Sequence, residues 1–203
     1  MSSQEHNPVK RQLIIISGPS GVGKSTICGE LAKRLDKVYL SVSATTRAKK
    51  AGEQEGKDYY FVSRDEFERQ IKAGNFIEYA EVFGNLYGTP KDKLAQALDQ
   101  GKTAVLEIDV QGAQQLKKLY PDAKLIFIFP PNHTELEKRM KELQKRINGR
   151  GRDDEKDIEK RLAGASTEIA AGWQHYEHII INDNLEQAIE EVIQIIKKSE
   201  NKK

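Results

Sequence analysis

Short runs of apolar residues alternate along the chain with segments in which apolar residues recur every three or four positions. The short runs are rich in β-branched residues and have the length of buried strands, whereas the recurring pattern is typical of helices with one buried face. Strands separated by helices favour a parallel sheet, so the pattern predicts an α/β fold with a parallel five-stranded core sheet flanked by helices. Five runs predict its strands: Leu13–Ile16, Tyr39–Val42, Thr103–Ile108, Leu125–Phe129 and His178–Ile181.

Two of the predicted helices carry a regular apolar stripe. Ile27, Leu31 and Leu35 are spaced by four residues and predict a helix directly after the first strand. Asn184 and Gln187 suit the capped start of a terminal helix, because an asparagine side chain can accept a hydrogen bond from a backbone N–H group of the first turn. The stripe of that terminal helix follows the last strand: Leu185, Ile189, Val192, Ile193 and Ile196.

We expect a single domain at residues 11–198, between flexible polar tails at 1–10 and 199–203. Two stretches break the alternation of strands and helices and are predicted to project from the core as insertions. The first is rich in Gly, Tyr, Phe and charged residues, and the second contains the polar, arginine-rich stretch Asn148–Asp154. The predicted division of the domain is therefore a core of 11–42, 91–142 and 156–198, a first insertion at 43–90 and a second at 143–155.

Composition narrows the class of protein. A chain of 203 residues can bury a large core without a disulfide or metal staple. Its 33 basic and 31 acidic residues give a net charge of only +2, which does not indicate a dedicated nucleic-acid-binding protein. The lone Cys28 excludes an internal disulfide. Because the chain has neither a membrane-length apolar stretch nor the apolar region of a signal peptide, a cytoplasmic protein without membrane contacts is expected.

A phosphate-binding loop is the strongest chemical motif of the chain. The stretch Gly18–Ser25 (Gly-Pro-Ser-Gly-Val-Gly-Lys-Ser) fits the pattern G-x-x-x-x-G-K-[ST] and lies between the first predicted strand and helix. Its glycines allow consecutive N–H groups to converge on phosphate oxygens, Lys24 supplies a cation for the β- and γ-phosphates, and the Ser25 hydroxyl can bind Mg²⁺. The residues predicted to bind the phosphates of ATP are Gly18, Pro19, Ser20, Gly21, Val22, Gly23, Lys24, Ser25 and Thr26.

This loop alone is compatible with a GTPase, an ATPase motor, a small-molecule kinase or an inactive binding module. Motors usually need a longer chain, and the sequence lacks the Asn-Lys-x-Asp motif of GTPases. Asp109 follows the predicted strand Thr103–Ile108, where an acidic residue could hold Mg²⁺ through water. A buried aspartate or a helix cap is an equally good interpretation of Asp109, so both remain open.

Several further blocks resemble the guanylate kinase family, in the family's order and over almost the whole chain. The resemblance implies a P-loop kinase with a monophosphate-binding insertion and a lid, corresponding to 43–90 and 143–155. It also implies the activity, which is ATP-dependent, Mg²⁺-requiring phosphorylation of GMP or dGMP. The blocks are Ser41–Arg47, Gly52–Phe61, Phe76–Glu81, Gly84–Thr89, Glu107–Gly112, Gly149–Gly151 and Ile180–Asp183.

The same resemblance implies a GMP site. Glu78 and Thr89 match positions that read the guanine edge, where a carboxylate accepts hydrogen bonds from the N1–H and N2 groups and a hydroxyl donates to O6. Lys50 stands where the family usually has a second arginine, which keeps the charge but loses the planar fork. Asp109 is implied as either a substrate-side or an Mg²⁺-linked position. Around the GMP phosphate the resemblance implies Ser43, Arg47, Lys50, Tyr59 and Tyr87.

The resemblance also implies a set of cationic residues that take part in phosphoryl transfer. Arg146, Arg150 and Arg161 match family arginines of the lid and the following helix, and preplaced arginines stabilise charge on a transferred phosphoryl group. Arg152 adds a cation where the family commonly has a small polar residue. Asn182 resembles the family's adenine-side contact, although its Asn-Asp-Asn context suits a turn equally well. The residues implied to act in catalysis are Lys24, Arg47, Lys50, Arg150 and Arg161.

Two alternatives remain open from the sequence. The first is a kinase for a different small phosphate, such as AMP, dTMP or a sugar phosphate. The second is a binding module, because guanylate-kinase-like domains of scaffold proteins resemble this fold without being catalysts. The intact phosphate loop and the lid arginines favour an enzyme with ATP and GMP or dGMP as its partners. The terminal helix and the sheet edge could serve a homo-oligomer, but the sequence marks no interface.

Overall fold

A computed structural model describes residues 12–132, 134, 135, 138, 164, 165 and 168–200. The first half of the fold contains β1 (Gln12–Ser17), α1 (Lys24–Arg34), β2 (Val38–Leu40), β3 (Ala44–Thr45), β4 (Tyr60–Phe61), α2 (Arg64–Lys72), β5 (Phe76–Val82) and β6 (Asn85–Pro90). It continues with α3 (Lys91–Asp99), β7 (Thr103–Glu107), α4 (Val110–Leu119), β8 (Lys124–Phe129), β9 (His178–Ile181) and a last helix, α5 (Leu185–Glu200). Residues 168–175 are helical as well.

The core sheet has the strand order β2-β7-β1-β8-β9, and all of its neighbouring strands are parallel. The predicted parallel five-stranded sheet is thereby confirmed. Every residue of the central strand β1 is buried, as expected for a strand covered on both faces. Strand β2 ends at Leu40 rather than at the predicted Val42, because only Val38–Leu40 pair with β7 before the chain turns toward the second sheet.

Helices cover both faces of this sheet. Alternate residues of β1 point to opposite faces, so Ile14 packs toward α1 and α5 while Ile15 packs toward α3 and α4. Helix α1 buries Ile27 and Leu31, and Leu35 forms its C-cap, so the predicted stripe is confirmed for its first two members. The predicted start of α5 is also confirmed, because Asn184 Oδ1 accepts a hydrogen bond from the Gln187 N–H at 3.1 Å.

A second, smaller sheet is formed by the chain between β2 and α3, with the strand order β4-β3-β6-β5. Strands β5 and β6 form a hairpin whose two turn residues, Phe83 and Gly84, have φ values of +50° and +79°. Positive φ at both positions gives the turn a twist that matches the strands. Phe67 of α2 stacks on Phe76 of β5 at 4.4 Å between ring centroids, in a core separate from that of the large sheet.

One side chain of α4 ties the small sheet to the large one. Gln115 Nε2 donates to the Tyr79 carbonyl at 2.8 Å, and Gln115 Oε1 accepts from the Tyr79 N–H at 3.3 Å. The hairpin β5–β6 is thus held against the middle of α4, the helix that follows β7. Within the described part of the chain, none of the helices combines the length and the apolarity that crossing a membrane requires.

Candidate active site

The glycine-rich loop leaves the carboxyl end of β1 and enters α1. A Cβ atom on Gly18 would lie 2.4 Å from the Ile128 carbonyl oxygen, and a Cβ atom on Gly23 would lie 2.6 Å from Asn182 Nδ2. Both residues also have positive φ values, +147° and +103°. A side chain at either position would therefore strain the loop, which explains why glycine stands there.

The first turn of α1 points at the centre of this loop. Its N-cap is Gly23, and no side chain of the described residues forms a cap hydrogen bond with it. The N–H groups and the positive end of the helix are then available to a phosphate group. Lys24 Nζ donates to the Gly18 and Pro19 carbonyls at 2.5 and 3.1 Å, which holds the ammonium group over the loop. Ser25 and Thr26 are exposed, and Ser20 and Gly21 are half-buried.

A residue that sequence reasoning missed completes this side of the site. Glu107 is the last residue of β7, and its Oε1 atom accepts a hydrogen bond from Ser25 Oγ at 2.9 Å. The sequence prediction extended the strand to Ile108 and therefore looked for the acidic residue at Asp109. Pairing of Glu107 with Ile16 of β1 places the glutamate beside the phosphate loop. The signal that could have identified this residue from the sequence is the acidic side chain at the last position of the strand, Glu107.

Asp109 is the N-cap of α4, where its Oδ1 atom accepts a hydrogen bond from the Gly112 N–H at 3.0 Å. Of the two interpretations left open by the sequence, the helix cap is the one that the structure displays. A Cβ atom on Gly112 would lie 3.2 Å from Asp109 Oδ1 and 2.3 Å from Glu78 Oε2. Both carboxylates therefore border the same small volume, on the side of the small sheet.

Glu78 and Thr89 face each other across the hairpin β5–β6. They are 4% and 0% exposed, and Thr89 Oγ1 donates a hydrogen bond to Glu78 Oε1 at 2.5 Å. The pKa of Glu78 is raised to about 7, chiefly by burial and also by the negative charge of Asp109, while the hydrogen bonds from Thr89 oppose the rise. A buried carboxyl group paired with one hydroxyl group has the capacity to bind a polar ligand edge.

Three other predicted residues form a cluster at strands β3, β4 and β6 of the small sheet. The Arg47 guanidinium carbon lies 5.3 Å from the Tyr59 ring centroid, and the Tyr59 and Tyr87 rings meet edge to face at 5.9 Å. Burial raises the pKa of Tyr59, and the negative charge of Glu107, the residue that binds Ser25 of the phosphate loop, adds to the rise. Ser43, which is 9% exposed, precedes β3, and its carbonyl accepts from the N–H of Tyr60, the residue after Tyr59, at 2.9 Å.

Asn182 lies just beyond β9 and braces the phosphate loop. Its Nδ2 atom donates to the Val22 carbonyl at 2.7 Å, and its backbone N–H donates to the Phe129 carbonyl at 2.8 Å. The side chain is 3% exposed. Asn182 thus joins β8, β9 and the loop, which is a structural role beside the predicted contact with adenine.

Glu168 is a second acidic residue that sequence reasoning missed. Burial raises the pKa of the Glu168 carboxyl group, and the negative charge of Asp109 also raises it. The ammonium group of Lys24 acts in the opposite direction. The half-buried Lys50 lies in the loop after Arg47. The predicted lid at 143–155, with Arg146, Arg150 and Arg152, and also Arg161, lies outside the described residues.

The arrangement defines the class of protein. A parallel α/β sheet whose first strand leads through a glycine-rich loop into a helix is the architecture of P-loop proteins, and their ligands bind at the carboxyl ends of the strands. Here a second group of buried polar residues, Glu78 and Thr89, lies on the small sheet beside Asp109, two residues beyond the end of β7. The class is therefore an α/β P-loop protein with a second cluster of buried polar residues on its smaller sheet.

Comparison with known proteins identifies the family. The guanylate kinase family model matches residues 10–199. A guanylate kinase of Carboxydothermus hydrogenoformans is 45% identical over 90% of this chain and 86% of its own length. One of Thermosynechococcus vestitus is 48% identical over 90% of this chain and 91% of its own. The chain belongs to the guanylate kinase family.

A solved structure agrees with that assignment. The crystal structure of guanylate kinase from Anaplasma phagocytophilum superposes with a TM-score of 0.77 at 35% identity, and the match covers 94% of this chain and 87% of that one. The resemblance inferred from the sequence blocks is thereby confirmed for the family and for the fold.

Proposed function

We propose that this member of the guanylate kinase family transfers the γ-phosphoryl group of ATP directly to GMP, and to dGMP, in an in-line displacement. The observation that carries the proposal is the buried, hydrogen-bonded pair Glu78 and Thr89, which lies beside Asp109 at the start of α4. A phosphate loop alone would leave the acceptor unspecified. A carboxyl group beside a hydroxyl group in a dry pocket selects among bases.

Guanine fits this pair chemically. Its N1–H and N2 groups are donors that an ionised Glu78 accepts, and its O6 atom accepts from the Thr89 hydroxyl. The hydrogen bond between Thr89 and Glu78 is then exchanged for bonds to the base. Adenine lacks the N1–H donor and would leave the buried carboxylate unpaired, which is costly. Deoxyguanosine monophosphate differs only at the ribose 2′ position, away from this edge, so we propose it as a second acceptor.

The phosphate of GMP is proposed to bind at the cluster of Arg47, Tyr59 and Tyr87, with Ser43 and Lys50 beside it. A planar guanidinium group and short hydroxyl donors match the geometry of a phosphate dianion. The second pKa of such a phosphate lies near ~6, so the attacking oxygen is already deprotonated at neutral pH. The reaction then needs no protein group as general base.

The donor, ATP, is proposed to bind with its phosphates in the loop 18–26 and its adenine near Asn182. Lys24 would exchange its bonds to the loop carbonyls for bonds to phosphate oxygens. Bringing two polyanions together is the main obstacle, and cations on both sides of the gap offset the repulsion. Besides Lys24 and Arg47, we propose Arg146, Arg150 and Arg161 for this role, by resemblance to the family.

Magnesium is the cofactor that the family implies, and the donor set fits it. The Ser25 hydroxyl and the Glu107 carboxylate lie 2.9 Å apart, and hard oxygen donors of this kind suit Mg²⁺. When bound, the ion would neutralise charge on the β- and γ-phosphate oxygens. We propose Ser25 and Glu107 as the residues that hold it, while a water-mediated contact from Asp109 stays a prediction of the sequence.

The proposed reaction is tested by measuring ADP release from ATP and Mg²⁺ with a panel of acceptors. We expect turnover with GMP and dGMP, and values of kcat/KM that are at least about 100-fold lower with AMP, dTMP and sugar phosphates. Equal turnover of AMP would contradict the assignment of the base pocket. The absence of turnover with every acceptor would favour the binding-module alternative.

A further inference from the structure

Glu53 contacts the guanidinium group of Arg47 and the backbone of Lys50, the two residues whose cations are proposed to bind the acceptor phosphate. Its Oε1 atom accepts from Arg47 Nη2 at 2.7 Å, and its Oε2 atom accepts from the Lys50 backbone N–H at 2.8 Å. We propose that Glu53 is a positioning residue that fixes Arg47 and the Lys50 turn in the geometry that receives the phosphate of the acceptor nucleotide. The inference rests on the proposed function.

The Glu53 carboxylate is largely shielded from solvent within the loop. The side chains of Arg47 and Glu53 are 17% and 20% exposed. Burial alone would raise the pKa of Glu53, but the hydrogen bonds from Arg47 and from the Lys50 backbone, with the positive charges of both residues, lower it below its usual value. Glu53 therefore remains ionised at neutral pH, which makes both hydrogen bonds charge-assisted.

The same contacts leave Arg47 able to bind a phosphate. A guanidinium group carries five N–H donors, and the loop uses one from each terminal nitrogen: Nη2 to Glu53, and Nη1 to the Ala48 carbonyl at 2.7 Å. Its plane is further confined by Tyr59 and by Phe61, whose ring centroid lies 5.8 Å away. The guanidinium group is thus ordered before a ligand arrives, so binding does not have to order it.

A carboxylate could instead compete with the phosphate for Arg47. Competition requires Glu53 to release the guanidinium group and move away when the phosphate binds. Glu53 is also bound at its second oxygen to the Lys50 backbone N–H, in a turn closed by the Glu53 N–H and the Lys50 carbonyl, so moving away would cost that second hydrogen bond as well. The two roles predict opposite results: removal of the charge weakens GMP binding if Glu53 positions Arg47, and strengthens it if Glu53 competes.

The test compares Glu53→Gln with the matched control Glu55→Gln. Glu55 lies in the same loop, and its Oε2 atom accepts from the Phe61 N–H. For Glu53→Gln we expect the KM for GMP to rise about tenfold, with KM for ATP unchanged and kcat changed by less than about threefold. Dissociation constants of GMP and guanosine add a second measurement: the affinity for guanosine, which has no phosphate, is expected to stay unchanged.

A double-mutant cycle with Arg47→Ala tests whether Glu53 acts through Arg47. We expect Glu53→Gln to have much less effect on GMP binding when Arg47 is absent, because coupled residues are not additive. If Glu53→Gln does not fold, Glu53→Asp replaces it: the shorter side chain cannot reach both donors, so a smaller rise in KM for GMP is expected.

Three results would overturn the inference: a KM for GMP equal to that of Glu55→Gln, a lower KM, or an equal loss of affinity for guanosine. Failure of the proposed function is a different result, because it would be seen in the wild-type protein as an absence of turnover with GMP. Wild-type activity with an unchanged Glu53→Gln variant would leave the proposed function intact and remove only the positioning role.

Discussion

The Ser25 hydroxyl donates a hydrogen bond to the Glu107 carboxylate at 2.9 Å, which joins the first turn of α1 to the end of β7. The two residues lie on adjacent strand–loop units, so the donor set forms only when the sheet is assembled. Because the pair brings two oxygen ligands to the proposed position of the terminal phosphates of ATP, we propose that it holds Mg²⁺ beside the phosphate loop.

Glu107→Gln is expected to raise the Mg²⁺ concentration needed for half-maximal activity by about 10- to 100-fold, because an amide is a weaker ligand than a carboxylate. The measurement is a magnesium titration at saturating ATP and GMP. Asp109→Asn is the comparison variant, since Asp109 caps α4 at a neighbouring position. A larger shift for Asp109→Asn than for Glu107→Gln would show that the acid predicted from sequence is the one that serves the metal.

Asn182→Ala is expected to raise the KM for ATP by about tenfold and to lower the free energy of unfolding by about 1–3 kcal/mol, because the Val22 carbonyl loses its buried donor. The KM for GMP is expected to stay unchanged. Steady-state kinetics and urea unfolding measure these effects. Asn184→Ala is a matched control from the same turn: it removes the cap of α5 and should lower stability without changing the KM for ATP.

Lys50→Ala is expected to raise the KM for GMP by about tenfold, because one positive charge is lost beside the proposed phosphate site. Lys50→Arg is expected to preserve or raise activity, since arginine restores the planar fork that the family usually has at this position. Initial rates at varied GMP concentration measure both variants. An unchanged KM in Lys50→Ala would remove Lys50 from the acceptor site.

The pH dependence of stability reports on Glu78. The native protein holds its pKa at about 7, above the ordinary value of 4.5, so the stability that this group contributes below pH 4.5 is lost as the pH rises through 7. The difference corresponds to roughly 3 kcal/mol at pH 8. Glu78→Gln should therefore gain stability relative to the wild type between pH 5 and pH 8.

Urea unfolding at the two pH values measures this effect. Glu81→Gln is the control, because Glu81 lies on the same strand with an exposed side chain and should show no such difference from the wild type. A constant difference in unfolding free energy between Glu78→Gln and the wild type would contradict the assignment of a buried, destabilised carboxylate to Glu78.

The large sheet could be predicted because its central strands β1, β7 and β8 are buried almost throughout, which leaves uninterrupted apolar runs such as Leu13–Ile16. The small sheet could not, because β3 and β4 contain only two residues each and show no periodicity. Their positions depend on pairing with β6 and on the core around Phe67 and Phe76.

The site divides in the same way. The phosphate loop was predictable because the local spacing of its glycines directly allows its backbone N–H groups to converge on a phosphate group. The bond from Asn182 to Val22 joins residues 160 positions apart, and the bond from Ser25 to Glu107 depends on where a strand ends. Such contacts are set by strand order and register, which the local pattern does not specify.

The base selectivity of Glu78→Gln tests the central claim most directly, because a glutamine presents a donor where guanine also has donors. The measurement is the ratio of kcat/KM for GMP to that for AMP in the wild type, in Glu78→Gln and in the control Glu81→Gln. A guanine-reading pocket predicts that the ratio falls about 100-fold or more in Glu78→Gln alone. A ratio that is the same in all three proteins would contradict it.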